Sequence, residues 1–266
     1  MLYNSTYTSW LHRVNPVTKL LLMLAGIIAI LFIQNVNVMF PLTAALIVLV
    51  LAGSGHPRSR VMLLMLPFLF VFFSTSTSMI FFGKGSTLWW HWGIVQITRE
   101  SFYRGIHVGL RALCFGLMGL LFVLTTRPVL LFYSLMRQLR LPPKYAYGFM
   151  ASVRLLPLIM SEFRTLRQAY KVKGVQVSKN LNGMMQALHL YAIPLLAQSI
   201  RRAQRIAVAM EARRFNNQAD RTYYYRIGFS KADIILIICW AAIFLGSWLL
   251  GWHLPVISIT DVRLNG

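Results

Sequence analysis

Five stretches of this sequence, 19–33, 38–52, 61–82, 105–126 and 234–254, are almost continuously apolar and nearly free of charge. This constrains the chain more than any motif in it, because a helix needs about 20 mainly apolar residues to cross a bilayer. Apolar residues make up 57% of the chain and charged ones 12%, against roughly 45–50% and 25% in an ordinary globular domain. The chain is also too apolar for a disordered basic tail. A membrane protein is the reading that survives. The first two runs are short and are separated only by Gln34-Asn35-Val36-Asn37, which predicts a helical hairpin. Arg13 and Lys19 precede the first run as in a signal peptide. No small-residue cleavage site follows it, however, and the second run comes too soon.

Charge sets the orientation. There are 27 Lys and Arg against 6 Asp and Glu, a net +21, and basic residues collect on the cytoplasmic side of membrane helices. His12, Arg13 and Lys19 flank the start, Arg58 and Arg60 lie between spans two and three, and 127–231 holds 18 of the 27 basic residues. Five spans then put the N-terminus inside and the C-terminus outside. Lys84, Arg99 and Arg104 fall in the expected outer loop, with Trp89, Trp90 and Trp92 as an interfacial aromatic belt and Gly93-Ile-Val-Gln-Ile-Thr98 as a short strand. Arg111 lies within snorkelling reach of that interface.

Several chemistries are excluded. The six acids, Glu100, Glu162, Glu211, Asp220, Asp233 and Asp261, are scattered, which disfavours carboxylate-paired hydrolases and di-metal sites. No two of the six histidines have metal-ligand spacing. Cys114 and Cys239 sit in apolar runs and read as packing residues. Gly83-Lys84-Gly85-Ser86-Thr87 resembles the end of a phosphate loop, but Ser78 stands where its first glycine belongs.

The segment 127–231 is too long for a linker and has helical pattern. Pro128 can open a helix to Arg140, with Leu130, Leu131, Leu135 and Leu139 near helical spacing. After Pro142-Pro143 a second helix is expected from Lys144 to about Lys173, stopping at Gly174, and a third from about Leu181 to Arg214, with Pro157 and Pro194 inside them. Each has an apolar half, then a basic one ending in Arg164, Arg167, Lys171 and Lys173, or in Arg201, Arg202, Arg205, Arg213 and Arg214. The apolar halves should lie against membrane or membrane helices, where Met150, Met160, Met184 and Met185 suit either core packing or an adaptable partner surface. The basic halves suit anionic lipid head groups or a protein with acidic grooves. Nucleic acid is disfavoured, since no recognisable nucleic-acid module accompanies the charges.

The basic helix ends carry a pattern: Glu162-Phe-Arg-Thr-Leu-Arg-Gln-Ala-Tyr-Lys-Val-Lys-Gly174 and Ala209-Met-Glu-Ala-Arg-Arg-Phe215, preceded by Ile97-Thr-Arg-Glu-Ser101, Leu124-Thr-Thr-Arg-Pro128 and Val153-Arg-Leu-Leu-Pro157. In this order they resemble the transmembrane T component of energy-coupling factor (ECF) transporters, over roughly 97–215. The resemblance implies an all-α integral membrane protein of a prokaryotic plasma membrane. Its membrane helices would occupy 1–126 and 232–266, with a cytoplasmic coupling-helix module at 127–231. It implies two ATP-binding-cassette ATPase subunits and a substrate-binding S component for a vitamin, vitamin precursor or metal ion, with no catalytic site and no cofactor in this chain. The family's two Ala-Arg-Gly-like motifs, each entering an ATPase groove, fall on Val172-Lys173-Gly174 and Ala212-Arg213-Arg214. Lysine replaces the first arginine, valine the first alanine, and Arg214 the second small residue. Glu162 and Glu211 are expected to support the helices, pairing with Arg167 or Arg205. The rival readings are a self-contained secondary transporter, which would need internal repeats or broken helices, and a lipid-modifying enzyme, which would need convergent acids or histidines. The sequence shows neither pattern.

Overall fold

The computed structural model describes residues 9–83, 88–92, 95–175, 180–215 and 228–253. Lys84 to Thr87 of the phosphate-loop-like stretch, Asp220, Asp261, the C-terminal tail and the Met184 side chain lie outside what is described. The chain divides into two compact units, one formed by residues 1–134 with 227–266 and the other by 135–226.

The first unit is a bundle of apolar helices. After a 3-10 turn at Trp10–Arg13, Asn15 caps α1 (Pro16–Phe32) by accepting the Val17 N–H at 3.0 Å, with proline at the first helical position where no donor is missed. The polar quartet that interrupts the first two runs is the turn itself, for the Asn35 side chain accepts the Asn37 N–H at 2.9 Å and caps α2 (Val36–Gly53). Then come α3 (Arg58–Phe82), a hairpin of β1 (Leu88–Trp92) and β2 (Val95–Thr98), and α4 (Arg99–Thr125). The hairpin pairs Leu88 with Thr98 and Trp92 with Val95, with a register shift after Leu88. The expected strand is thus one arm of a ribbon, and the other arm contains the tryptophans of the expected belt. Trp89 is exposed. Thr98 ends β2 and caps α4, accepting the Ser101 N–H. The last apolar helix, here α8, is Lys231–His253.

Helices α2, α3, α4 and α8 are long and apolar enough to cross a membrane, and α1, with 17 residues, is the shorter fifth. At 1.5 Å per residue α1 spans about 26 Å, near the lower limit for crossing. Its start at Pro16 rather than 19 recovers part of the length that the apolar run lacked. The core joins Ile30 of α1, Met39, Leu42 and Leu46 of α2, Cys114, Leu117 and Met118 of α4, and Leu236 and Trp240 of α8. By contrast α3 exposes Met62, Leu63, Leu66, Phe70 and Phe73, an apolar face too large for a water-facing surface. Close packing of α3 on α4 rests on Gly105 and Gly109. A Cβ on Gly105 would sit 2.9 Å from the Ser76 carbonyl, and one on Gly109 would sit 2.9 Å from the Phe72 ring.

Helix ends sort into two sets. Ile33, at the end of α1, lies by His107 and Arg111 in the first half of α4, and Gly251 of α8 packs on Val38 of α2. At the opposite end Gly53 packs on Leu11, Lys19 reaches Thr125 and Asn15 reaches Asp233. Five alternating passes therefore put residue 15, the exit at Pro128 and the return at Ser230 at one end. The hairpin and His253 lie at the other. Arg111 turns inward rather than toward an interface. It and His107 reach the Ile33 carbonyl at 2.9 and 3.1 Å, which an ended helix leaves without an internal donor.

α5 (Pro128–Gln138) begins in the first unit and runs into the second, which holds α6 (Pro143–Val172) and α7 (Leu181–Ala212). α5 stops two residues before the expected Arg140, because Arg140 adopts φ +51°, a left-handed conformation that cannot continue a right-handed helix. Pro157 and Pro194 lie inside α6 and α7, as the sequence suggests.

Candidate functional site

The two long helices of the second unit run antiparallel, as their contacts dictate. Tyr147 of α6 meets Phe215 just past α7, with ring centroids 5.4 Å apart and planes at 86°. Glu162 of α6 binds Arg202 of α7. Phe163 and Tyr170 both stack edge-on against Tyr191, at 5.3 and 5.6 Å, and the Tyr170 hydroxyl donates to the Leu190 carbonyl at 3.4 Å. As the position in α6 rises, its partner in α7 falls. The C-terminal ends of the two helices therefore point in opposite directions. With Phe215 beside Tyr147, the length of α6 from Tyr147 to Lys173 puts them about 39 Å apart at 1.5 Å per residue.

Those two ends carry the residues singled out in the sequence, and they are built alike. At the end of α6 the Gly174 N–H donates to the Lys171 carbonyl at 3.2 Å and the Val175 N–H to the Tyr170 carbonyl at 3.1 Å. At the end of α7 the Arg214 N–H donates to the Glu211 carbonyl at 2.8 Å and the Phe215 N–H to the Met210 carbonyl at 3.0 Å. Both are Schellman caps, in which a left-handed residue reverses the chain and satisfies the last carbonyls. Val172 and Ala212 are the last helical residues, Lys173 and Arg213 the caps, and Gly174 and Arg214 the left-handed residues, at φ +70° and +53°. Position by position, the two triplets occupy one backbone geometry. The small third residue of the pattern is the one the left-handed position favours, since glycine adopts it without steric cost. Arg214 adopts it as a non-glycine residue. Phe215, seated on Tyr147, holds the chain on its far side. Val172 is 89% exposed, and Lys173 and Arg213 are exposed beside it and Ala212 respectively. Each tip thus offers a cation at the end of a stiff helix.

The supporting acids differ from expectation. Glu162 pairs across the helices with Arg202 and not with Arg167 or Arg205. Five residues separate Glu162 from Arg167 and six separate Arg205 from Glu211, so neither pair falls on one helix face as a spacing of three or four would. Glu211 has no ion-pair partner among the described residues, and its part in the cap is through its backbone carbonyl. No cluster of three His, Cys, Asp or Glu able to hold a metal occurs among the described residues.

The motifs upstream of the two helix ends also take structural roles. Thr98 and Ser101 cap α4. Thr125 ends α4 and Pro128 opens α5. Pro157 lies within α6. What the sequence reading missed is a polar cluster in the first unit, formed by Asn15, Lys19, Thr125, Ser230 and Asp233. Ser230-Lys-Ala-Asp233 before an apolar run is a capping-box signature that would have flagged part of it. The Asp233 side chain accepts the Ser230 N–H at 2.5 Å and the Ser230 hydroxyl accepts the Ala232 N–H at 3.4 Å.

The apolar bundle and the two long, basic-tipped helices define a multi-pass all-α membrane protein. The family model of the cobalt transport protein CbiQ matches residues 7–224. The chain is 28% identical over 260 residues to the energy-coupling factor transporter transmembrane protein EcfT of Acidaminococcus fermentans, covering 93% of this chain and 94% of that protein. It is 29% identical over 252 residues to EcfT of Listeria innocua, covering 92% and 94%. It is 28% identical over 235 residues to EcfT of Lacticaseibacillus paracasei, covering 85% and 88%. The chain belongs to the CbiQ family and is the transmembrane T component of an ECF transporter.

Proposed function

We propose that this chain transmits the movements of two ATP-binding-cassette ATPase subunits to a substrate-binding S component, which imports a vitamin, a vitamin precursor or a metal ion. The observation that carries the reading is the pair of like-built basic caps at opposite ends of two antiparallel helices. Tips about 39 Å apart suit two separate grooves, one on each ATPase subunit. Lys173 enters one groove and Arg213 the other. Charge-assisted hydrogen bonds, the stronger kind, keep each tip attached while the motor closes. Arginine offers a planar fork and lysine a point charge, so the two grooves present different acceptor geometries. Closure on ATP then moves both tips, and α6 and α7 act as levers. Their exposed apolar residues, among them Phe149, Leu156, Met160, Leu188, Ile193 and Leu196, form the surface that holds the S component. ATP hydrolysis resides in the partners.

In this reading residues 127–231 are the cytoplasmic module, and the end bearing Asn15, Pro128 and Ser230 faces the cytosol. The positive-inside rule supports this, since Arg13, Arg58, Arg60 and Arg127 gather there. The S component, rather than this chain, sets the substrate.

Co-purification tests the proposal. The chain is expressed with the cassette ATPases of the same genome and captured in mild detergent, beside Lys173→Glu, Arg213→Glu and the double variant. Removing one partner of such a charge pair typically costs about 2–5 kcal/mol, and reversing its sign adds repulsion. The double variant, still folded, is expected to lose the ATPases that wild type retains. A wild-type chain that never retains an ATPase contradicts the proposal, and uptake by the chain alone would then favour a secondary transporter.

A further inference from the structure

The first unit buries a lysine and an aspartate among apolar helices. Lys19 is 7% exposed and Asp233 2%. Charges in such surroundings are costly unless every polar group is partnered, and here the partners are specific. Lys19 Nζ donates to the Thr125 carbonyl at 2.8 Å. Asp233 accepts the Asn15 N–H on Oδ1 at 2.7 Å and the Ser230 N–H on Oδ2 at 2.5 Å. Asn15 in turn caps α1. Each charge also suits its helix terminus, with the ammonium at the C-terminal end of α4 and the carboxylate at the N-terminal end of α8. One five-residue stretch at the start of α1 therefore grips two places far apart in sequence.

Those two places have a common property. Thr125 is the last residue of α4, three before α5 opens at Pro128 and leads out of the first unit. Ser230 and Asp233 lie at the start of α8, just after the chain returns to the first unit at 227. A lever delivers its movement only if its roots do not give way. If either root shifted, displacement of the tips would be lost at the connection.

We propose that Lys19 and Asp233 are positioning residues that clamp both roots of the lever module onto α1, so that the roots stay fixed while nucleotide moves the tips. The inference rests on the proposed coupling function. It assigns the energetically costly pair of buried charges a part in transmission, distinct from the docking tips.

The test uses the full complex with its ATPase subunits in lipid nanodiscs. Cys114 and Cys239 are replaced by serine, and spin labels are placed at the exposed residues Phe32 and Val129 for one root and Phe32 and Phe229 for the other. Distances are measured by pulsed electron resonance with ADP and with ATP plus vanadate. Both distances are expected to be narrow and unchanged between the two states. In Lys19→Met the Phe32–Val129 distribution broadens, in Asp233→Asn the Phe32–Phe229 one does, and Lys19→Arg restores the former. The variants still hold the ATPases, since the tips are untouched. A nucleotide-dependent shift of either distance in the unsubstituted complex overturns the clamp, whether or not the variants assemble. So do distributions that stay narrow in both variants. Loss of the ATPases from wild type would instead refute the coupling function itself.

Discussion

Arg214 shows how one side chain records two demands. Its backbone sits at φ +53°, a conformation that costs a non-glycine residue roughly 1–2 kcal/mol, whereas the equivalent place in the other cap is Gly174. Arg214→Gly should relieve that cost. Thermal unfolding of the purified chain in detergent is expected to show a gain on the order of 1 kcal/mol, while the ATPases bind more weakly for want of the second cation. A destabilised glycine variant would mean that the Arg214 side chain makes compensating contacts. At this scale the sequence is informative where spacing carries the signal. The positions of Lys173 and Arg213 at helix ends are legible from Gly174 and from the loss of apolar pattern. That both ends share one cap is not legible, because arginine at a left-handed position leaves no compositional mark. The partner of Glu162 is also out of reach, since Arg202 lies 40 residues away and only the pairing of α6 with α7 brings them together.

Among the elements, the apolar runs announce themselves as helices, and Asn15, Asn35, Thr98 and Ser230 mark where four of them begin. The contact of α3 with α4 is harder to foresee. Gly105 and Gly109 lie one turn apart, and their significance emerges only once Ser76 and Phe72 are seen against them. Gly105→Leu forces a side chain toward the α3 backbone and should destabilise the bundle by about 1–3 kcal/mol, the usual cost of overpacking. Gly119, on the same helix, has open space within 4 Å of where a Cβ would stand, so Gly119→Ala should be neutral or slightly stabilising. Retention on size-exclusion chromatography after graded heating separates the two. Equal tolerance at both positions would show that α3 does not depend on that close approach. The β1–β2 hairpin is half visible. The alternation in Val95–Thr98 suggests a strand, but Leu88–Trp92 reads as an interfacial tryptophan cluster, and the same residues serve a ribbon.

For the molecule as a whole, the deficit of acids and the clustering of basic residues in 127–231 separate a membrane part from a charged part. The structure divides into two compact units at 134 and 227. The network of Lys19 and Asp233 is hidden in the sequence because each residue looks ordinary alone. Lysine before an apolar run reads as a flanking charge, and one aspartate before a span reads as an isolated acid. Their roles come from a fold that brings residues 15 and 233 together. In the proposed mechanism the two tips serve two different ATPase molecules at once. Single cysteines at Lys173 and Arg213, combined in one chain lacking Cys114 and Cys239, test it most directly. After reaction with a short bifunctional cross-linker in the assembled complex, the expected product contains one copy of this chain and two ATPase subunits, with each single-cysteine chain carrying one. A double-cysteine chain that never captures more than one ATPase subunit, under conditions where each cysteine alone reacts fully, would contradict it.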